Sequence, residues 1–185
     1  MTGKSFSFRE VGHDRWDDLA ALFESRGSPK SCWCMVWRAT PAEAKHSDGR
    51  SRKAALHSRV ANGVPVGILG YHEETPVAWC SIAPRSSYRR LGGPEDFADD
   101  PHAVWSLVCF FIKRAFRGQR LSDELLKAAV AYARSKGARI IEAYPVDPDS
   151  PSYRFMGFVD LFQKFGFKKI GRVGTRRHIM RLDLA

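Results

Sequence analysis

The chain has 185 residues, 44% of them hydrophobic, with five Trp and four Cys. This length and apolar fraction predict one folded domain over residues 1–185 with its own core, and they exclude an intrinsically disordered chain. No run of about 18 apolar residues occurs and no signal-peptide pattern is seen, so we expect neither a membrane span nor secretion. The cysteines are then expected to be reduced thiols in a cytoplasmic protein.

Lys and Arg number 30 against 20 Asp and Glu, which gives a formal net charge of +10. The basic residues concentrate in three segments, 85–90, 113–120 and 168–177. A solvated surface is one explanation of this excess, and a polyanionic ligand is the other. A nucleotide-containing ligand explains the middle segment better. Nucleic acid is disfavoured as a partner, because aromatic residues do not alternate with the basic ones as they do in stacking platforms.

Apolar periodicity and turn residues predict the elements of the chain. In chain order these are a strand (5–11), two helices (15–25 and 50–61), a hairpin (66–71 and 76–82), a strand (103–112), a helix (121–136), a strand (139–144), a short helix (159–165) and two strands (168–173 and 177–184). Asp14 is expected to cap the first helix, and residues 84–101 to form a long loop. The helix after residue 120 predicts that the strands on either side of it run parallel.

The turn at residues 116–122, Phe-Arg-Gly-Gln-Arg-Leu-Ser, joins a predicted strand to a predicted helix. The first N–H groups of a helix have no partner within it, and the aligned peptide dipoles add partial positive charge, so an anion is favoured there. Lys113, Arg114, Arg117 and Arg120 crowd the same turn. The turn therefore predicts a site for a polyphosphate.

Three short motifs carry a family resemblance. Residues 117–122, Arg-Gly-Gln-Arg-Leu-Ser, match a Gln/Arg-x-x-Gly-x-Gly/Ala pattern. Ile141-Glu142-Ala143 matches a Leu-Glu-Val strand, and residues 161–167, Leu-Phe-Gln-Lys-Phe-Gly-Phe, match Leu-Tyr-Glu-Lys-x-Gly-Phe. In this order, and with these elements between them, the chain resembles the GNAT superfamily of acetyl-CoA-dependent N-acyltransferases over nearly its whole length.

The resemblance implies an α/β (α+β) fold of three layers, in which helices flank a central, mixed and mostly antiparallel sheet. It also implies acetyl-CoA as co-substrate, with its pantetheine arm between the two splayed parallel strands. The implied coenzyme-binding residues are Phe111, Ile112, Arg117, Gly118, Gln119, Arg120, Leu121 and Ser122, the last five through backbone N–H groups that hold the pyrophosphate.

Arg120 and Ser122 depart from the family pattern, which usually has small residues at these positions. The hydroxyl of Ser122 can join the site. If Arg120 needs a positive φ, backbone strain of about 1–3 kcal/mol follows. If its φ is ordinary, its guanidinium can bind phosphate.

Glu142 lies in an otherwise apolar predicted strand, where a carboxylate must be hydrogen-bonded, paired or poised for chemistry. Desolvation would raise its pKa toward the range of a general base for the attacking amine, and the resemblance implies the same role. The alternative is a strand-end carboxylate that pairs with Arg. Both stay open at this point.

Family members have a Tyr that protonates the departing thiolate, but this chain has Phe162 at the matching position. Phe162 is expected to be packed in the core. Tyr144, Tyr153 and Cys109 are alternative donors, of which Tyr144 is taken as the catalytic candidate. A thiolate with a pKa of about 8.5 can also leave without an acid.

Residues 32–38, Cys-Trp-Cys-Met-Val-Trp-Arg, are unusually rich in Trp and Cys. No zinc-ligand spacing accompanies them, so no metal is expected. Packing against the sheet is one interpretation. The other is an acceptor-binding wall formed by Trp33, Trp37 and Arg38, with Trp105 from the central strand, in which Arg38 meets a substrate carboxylate.

The predicted function is acetyl transfer from acetyl-CoA to a primary amine by direct attack in a ternary complex, with a small-molecule or peptide acceptor. A non-catalytic acyl-CoA sensor and a basic nucleic-acid-binding protein are the alternatives. The acceptor and the oligomeric state are left open, with a homodimer among the options.

Overall fold

The computed structural model describes residues 5–46 and 48–184. Its strands and helices, numbered in chain order, are β1 (Phe6–Glu10), α1 (Trp16–Glu24), α2 (Gly49–Ala61), β2 (Gly67–His72), β3 (Thr75–Pro84), β4 (Val104–Ile112), α3 (Leu121–Ser135), β5 (Ile140–Ala143), α4 (Val159–Lys164), β6 (Lys168–Val173) and β7 (Arg177–Asp183). Each predicted element is present with its type as expected, and the boundaries differ by a few residues.

The seven strands form one sheet in the order β1-β2-β3-β4-β5-β7-β6. Neighbouring strands run antiparallel except β4 and β5, which run parallel and are joined through α3. The predicted fold class, a mixed and mostly antiparallel sheet with a parallel central pair, is therefore confirmed.

Helices cover both faces of the sheet, which makes the three predicted layers. On one face the buried residues of α1 and α2, among them Leu19, Phe23 and Leu56, pack with Tyr71 and Trp79 of the sheet. On the other face the buried residues of α3 and α4 pack in a second core. We call these the α1/α2 face and the α3/α4 face.

Asp14 does not cap the first helix. It lies within a 3₁₀ turn, His13–Arg15, and the helix begins only at Trp16 without a side-chain cap. Asp48 does act as a cap, because its carboxylate accepts hydrogen bonds from the backbone N–H groups of Arg50 at 2.9 Å and Ser51 at 3.0 Å. The prediction for Asp14 was wrong because the extra turn moves the helix start beyond the reach of that side chain.

Candidate active site

The central strands diverge at their carboxyl ends. Parallel pairing of β4 with β5 runs from Val104 and Ile140 to Leu107 and Ala143, whereas β4 continues to Ile112. On its other edge β4 pairs with β3. Consecutive residues of β3 pair with Cys109 and Leu107, so Val108 between them forms a bulge. Such bulges locally release the backbone from its ladder. The last five residues of β4 therefore have an edge that β5 does not cover.

The turn that follows β4 presents free backbone donors. Within the described residues, none of the five consecutive N–H groups from Gly118 to Ser122 donates a hydrogen bond, whereas the next two, of Asp123 and Glu124, bond to the carbonyl of Arg120. Three of these donors lie just before α3 and two lie in its first turn, at the positive end of the helix dipole. The geometry required by the predicted polyphosphate site is present.

The shape of this turn depends on two left-handed residues, Gly118 at φ 75° and Arg120 at φ 59°. Glycine adopts this conformation at little cost, but for Arg120 it stores strain of about 1–3 kcal/mol. The structure therefore has the strained backbone that was one of the two alternatives for Arg120. The side chain of this residue is exposed and makes no ion pair with the described residues.

Two other side chains of the turn fold back onto its own backbone. The Nε of Arg117 donates to the carbonyl of Ile112 at 2.9 Å, and the Nε2 of Gln119 donates to the carbonyl of Ala115 at 2.9 Å. These bonds hold the loop in shape and leave the backbone N–H groups exposed. Arg117 and Gln119 thus fix the position of the chain at this turn.

An apolar cavity of about 280 Å³ lies along the α1/α2 side of the uncovered end of β4. Its walls are Val108, Cys109, Phe110 and Phe111 of β4, together with Pro29, Cys32, Cys34, Val36, Trp37 and Phe155. The predicted coenzyme-binding residue Phe111 is thus part of the cavity. Its neighbour Ile112 instead packs on the α3/α4 face and anchors Arg117.

Glu142 is fully buried in a network of charged side chains. One carboxylate oxygen accepts from Arg85 at 3.0 Å and from the Nε of Arg181 at 3.0 Å, and the other accepts from the hydroxyl of Tyr144. Asp96 accepts from Arg181 at 2.7 Å, and this bond lowers the pKa of that carboxyl. The structure thus contains the pairing with Arg that was one of the two alternatives for Glu142, and the role of proton acceptor stays a prediction.

Tyr144 is the first residue after β5 and is fully buried. Burial and, after it, the negative charge of Glu142 raise the pKa of the Tyr144 phenol. The phenol is thus held neutral, with its proton committed to Glu142 and its oxygen lone pairs left as acceptors.

The acetyltransferase (GNAT) family model matches residues 16–167. The chain belongs to the GNAT acetyltransferase family. The resemblance inferred from three motifs is confirmed by this match.

Solved structures with this fold span nearly the whole GNAT chain. An N-acetyltransferase from Staphylococcus aureus Mu50 has a TM-score of 0.59 at 15% identity and covers 98% of this chain and 99% of its own. PaiA N-acetyltransferase from Thermoplasma acidophilum, in complex with coenzyme A, has a TM-score of 0.59 at 14% identity and covers 97% of this chain and 99% of its own. YncA from Salmonella typhimurium, with its cofactor acetyl-CoA, has a TM-score of 0.55 at 15% identity and covers 97% of this chain and 94% of its own. No curated protein matches the sequence.

Of the residues predicted to bind the acceptor, only Trp37 lies at the cavity of this GNAT protein. Trp33 is buried between the rings of Trp16 and Phe23, at centroid distances of 6.0 and 5.2 Å. Trp105 is buried on the α3/α4 face against Tyr132, at 5.4 Å. Both are core residues, because their side chains point into the packed layers and away from the uncovered part of β4.

Arg38 is buried, and its guanidinium bonds to groups of the protein itself. Its guanidinium donates to the carbonyl of Val66 at 2.6 Å, to the Oγ of Ser81 at 2.9 Å and to the hydroxyl of Tyr88 at 2.7 Å. These bonds join the loop before α2 to the sheet and to the loop after β3. Arg38 therefore shapes the acceptor side without lining it.

Phe162 packs in the α3/α4 core against Phe110 and Phe167, at centroid distances of 6.0 and 5.1 Å. Its expected place in the core is thus confirmed. Of the alternative donors, Cys109 lies in the cavity wall, and Tyr153 lies near Trp37 at 6.2 Å.

The thiols of Cys32, Cys34, Cys80 and Cys109 are all free. The hydrogen bond from Cys109 lowers the pKa of the Cys34 thiol, which also accepts from the indole N–H of Trp79 at 3.0 Å. In the described part of the chain, no three His, Cys, Asp or Glu side chains are grouped as a metal site requires. Across residues 5–46 and 48–184, no helix is long and apolar enough to cross a bilayer.

Sequence reasoning missed four residues around the site: Arg85, Arg89, Arg177 and Phe155. Three of them lie in the basic segments already noted, but nothing in the sequence indicates which side chains meet. Arg85 and Arg89 lie in the loop at 84–101, Arg177 begins β7, and Phe155 lies in a 3₁₀ turn, Arg154–Met156, so these residues come together only in the folded sheet.

Proposed function

We propose that this GNAT protein transfers the acetyl group of acetyl-CoA to a primary amine by direct attack in a ternary complex. The observation that carries the proposal is the run of five free N–H groups at the start of α3, next to a central strand whose end is uncovered. PaiA and YncA, which share the fold, were solved with coenzyme A and acetyl-CoA. The same chemistry is proposed for this chain.

The donor is held from two sides in this proposal. The N–H groups of residues 118–122 bind the pyrophosphate, and each such bond to a charged acceptor is worth about 1.5–3 kcal/mol. The exposed guanidinium of Arg120 adds positive charge. The uncovered edge of β4 hydrogen-bonds the pantetheine arm, and the bulge near Val108 turns backbone N–H toward the acetyl carbonyl.

The acceptor amine attacks the acetyl carbon from the cavity on the α1/α2 face, and the carbon–sulfur bond breaks. Coenzyme A leaves as a thiolate with a pKa of about 8.5, so the reaction does not depend on the Tyr that Phe162 replaces. Holding both reactants in line supplies much of the rate enhancement.

Tyr144 and Glu142 act as a pair in the proposed mechanism. Because the Tyr144 hydroxyl donates to Glu142, its oxygen can accept an N–H of the substrate and orient the amine lone pair. As the amine loses its proton to that oxygen, Tyr144 passes its own proton to Glu142. Arg85 and Arg181 keep the carboxylate in place during this transfer.

A thermal-shift experiment with acetyl-CoA, coenzyme A, NAD and ATP tests the donor. At about 100 times the dissociation constant a ligand adds about 2.7 kcal/mol of stability, so both coenzyme A compounds should raise the melting temperature by several degrees and NAD should not. A thiol-release assay with a panel of amines then tests turnover. Binding of acetyl-CoA without release on any amine would instead identify the acyl-CoA sensor.

A further inference from the structure

Two arginines approach the one Trp that lines the cavity. The guanidinium carbon of Arg177 lies 4.7 Å from the centroid of the Trp37 ring, and that of Arg89 lies 5.1 Å from the same ring. The backbone N–H of Arg89 also donates to the carbonyl of Trp37 at 2.9 Å. Two positive charges thus lie around the side chain of Trp37, which itself lines the cavity along β4.

Neither charge is neutralised by protein. In the described part of the chain no carboxylate lies within 4.0 Å of Arg89 or Arg177, and Arg177 has only a long bond, 3.4 Å, to the carbonyl of Leu91. Arg85 and Arg181 in the neighbouring network are, in contrast, each bonded to two carboxylates. A pair of cations brought together without a counter-charge is the usual signature of an anion site.

Further features of this cluster point the same way. Burial lowers the pKa of the Arg177 guanidinium, and the charge of Arg89 acts in the same direction, so the pair is held at an electrostatic cost. The indole N–H of Trp37 is buried and has no acceptor among the described residues. A bound anion would relieve the repulsion between the two arginines.

The cluster lies on the acceptor side of the sheet. Arg177 begins β7 and forms a bridge with Val146, two residues after Tyr144. Trp37 lines the apolar cavity along β4, whereas Arg89 and Arg177 are not among its lining residues. The donor turn at residues 118–122 lies at the start of α3, and α3 packs on the α3/α4 face of the sheet. These arginines are therefore not part of the predicted pyrophosphate site.

We propose that Arg89 and Arg177, stacked on Trp37, bind a carboxylate of the acceptor, so that the preferred substrate is an amine that also carries an anionic group. An α-amino acid with an apolar side chain is the simplest member of this class, since its side chain can occupy the neighbouring cavity. The proposal rests on the proposed amine acetyltransferase function and specifies its acceptor.

Matched acceptors provide the first test. Leucine, leucinamide and 3-methylbutylamine share a side chain and differ in the carboxylate, and the same series can be built on phenylalanine and methionine. Thiol release is measured with saturating acetyl-CoA. We expect kcat/KM to be at least about tenfold higher for the acids than for the amides, which corresponds to a free-energy difference of about 1.4 kcal/mol. The preference should weaken as salt rises.

Arginine variants with neighbouring controls provide the second test. Arg89→Gln and Arg177→Gln should each raise KM for the acid about tenfold, leave KM for the neutral amine and for acetyl-CoA unchanged, and so abolish the discrimination. Arg90→Gln and Arg176→Gln remove the same charge from the adjacent positions, where the side chains pair with Glu95 and Ser152 instead. These two variants should keep the wild-type preference.

The outcomes separate this proposal from the proposed function. Equal efficiency for acids and amides, or a rise in the KM of acetyl-CoA in the Arg89 and Arg177 variants, would overturn the carboxylate site while leaving the transferase in place. If no amine is turned over, the amine transferase proposal fails. The carboxylate site is then tested separately, by calorimetric titration of the amino acids into the complex of the protein with coenzyme A. Absence of binding there, or binding that survives both substitutions, would overturn it.

Discussion

The donor turn and the acceptor wall of this protein are built in different ways. The donor turn, residues 116–122, is a continuous segment whose backbone is proposed to bind the coenzyme, and the side chains of Arg117 and Gln119 bond to nearby backbone carbonyls. The acceptor wall proposed from the structure consists of side chains of Trp37, Arg89, Phe155 and Arg177, which are far apart in the sequence. Only the first kind of site is encoded locally.

This difference predicts which substitutions each of the two sites tolerates. A backbone site tolerates changes in side chains as long as φ and hydrogen bonding are preserved, so Arg120 and Ser122 can replace smaller residues. A side-chain site depends on two loops, 26–48 and 84–101, held to the sheet by Arg38 and by the Glu142 network. We therefore expect changes in those loops to alter which acceptor is bound without disturbing the donor turn.

The largest effect is expected from Glu142→Gln, which removes the carboxylate that Arg85 and Arg181 share. Two partly buried guanidinium groups would then share only the carboxylate of Asp96, so the free energy of unfolding should fall by about 3 kcal/mol. Denaturant titration measures this loss. Glu95→Gln breaks an exposed pair with Arg90 and should change stability by less than about 1 kcal/mol. Similar small losses in both variants would show that the network does not hold the acceptor wall.

Gly118→Val should damage the donor turn alone. A β-branched residue at φ 75° distorts the loop, and we expect KM for acetyl-CoA to rise about tenfold while KM for the amine is unchanged. Gly137→Val is the matched control, because Gly137 has φ 87° at the other end of α3 and a Cβ there would also meet nothing within 4 Å. Both variants should lose similar stability. A raised KM in both would mean that the effect is not local.

Arg120→Gly separates the strain of the donor turn from its charge. Glycine accepts φ 59° without a Cβ penalty, so stability should stay level or rise by up to about 1 kcal/mol. Loss of the guanidinium should raise KM for acetyl-CoA severalfold and weaken its dependence on salt. Arg120→Lys should retain most of the affinity. If KM falls in Arg120→Gly, the side chain obstructs the donor.

The smallest effect concerns the loop that carries Trp37. Hydrogen bonds from Arg59 lower the pKa of Glu43 to about 2, below the value of about 4.3 expected in the unfolded chain. The pair therefore stabilises the loop fully above about pH 4.3 and loses its contribution as the pH falls toward about 2. The stability difference between wild type and Glu43→Gln should shrink over this range in thermal melts. A constant difference would contradict the assignment.

The fold and the shape of the donor turn could be predicted because their signals are local. Apolar periodicity indicates the strands, and the basic turn before α3 indicates free N–H groups at a helix start, whereas the anion site itself stays a prediction. The roles of Trp33, Arg38 and Trp105 could not be predicted, because a Trp or an Arg in a loop has the same sequence signal whether it packs inward or lines a cavity. The start of the first helix was also missed, since the 3₁₀ turn at 13–15 carries no signal that separates it from the helix.

The account depends most on the binding of the coenzyme A pyrophosphate by the free N–H groups before and within the first turn of α3. Titration of isotope-labelled protein with coenzyme A, followed through its backbone amide resonances, tests this directly. We predict the largest shifts and the greatest slowing of hydrogen exchange at residues 118–122, with little change near Trp37. Saturable binding that leaves the resonances of 118–122 unmoved would contradict the account.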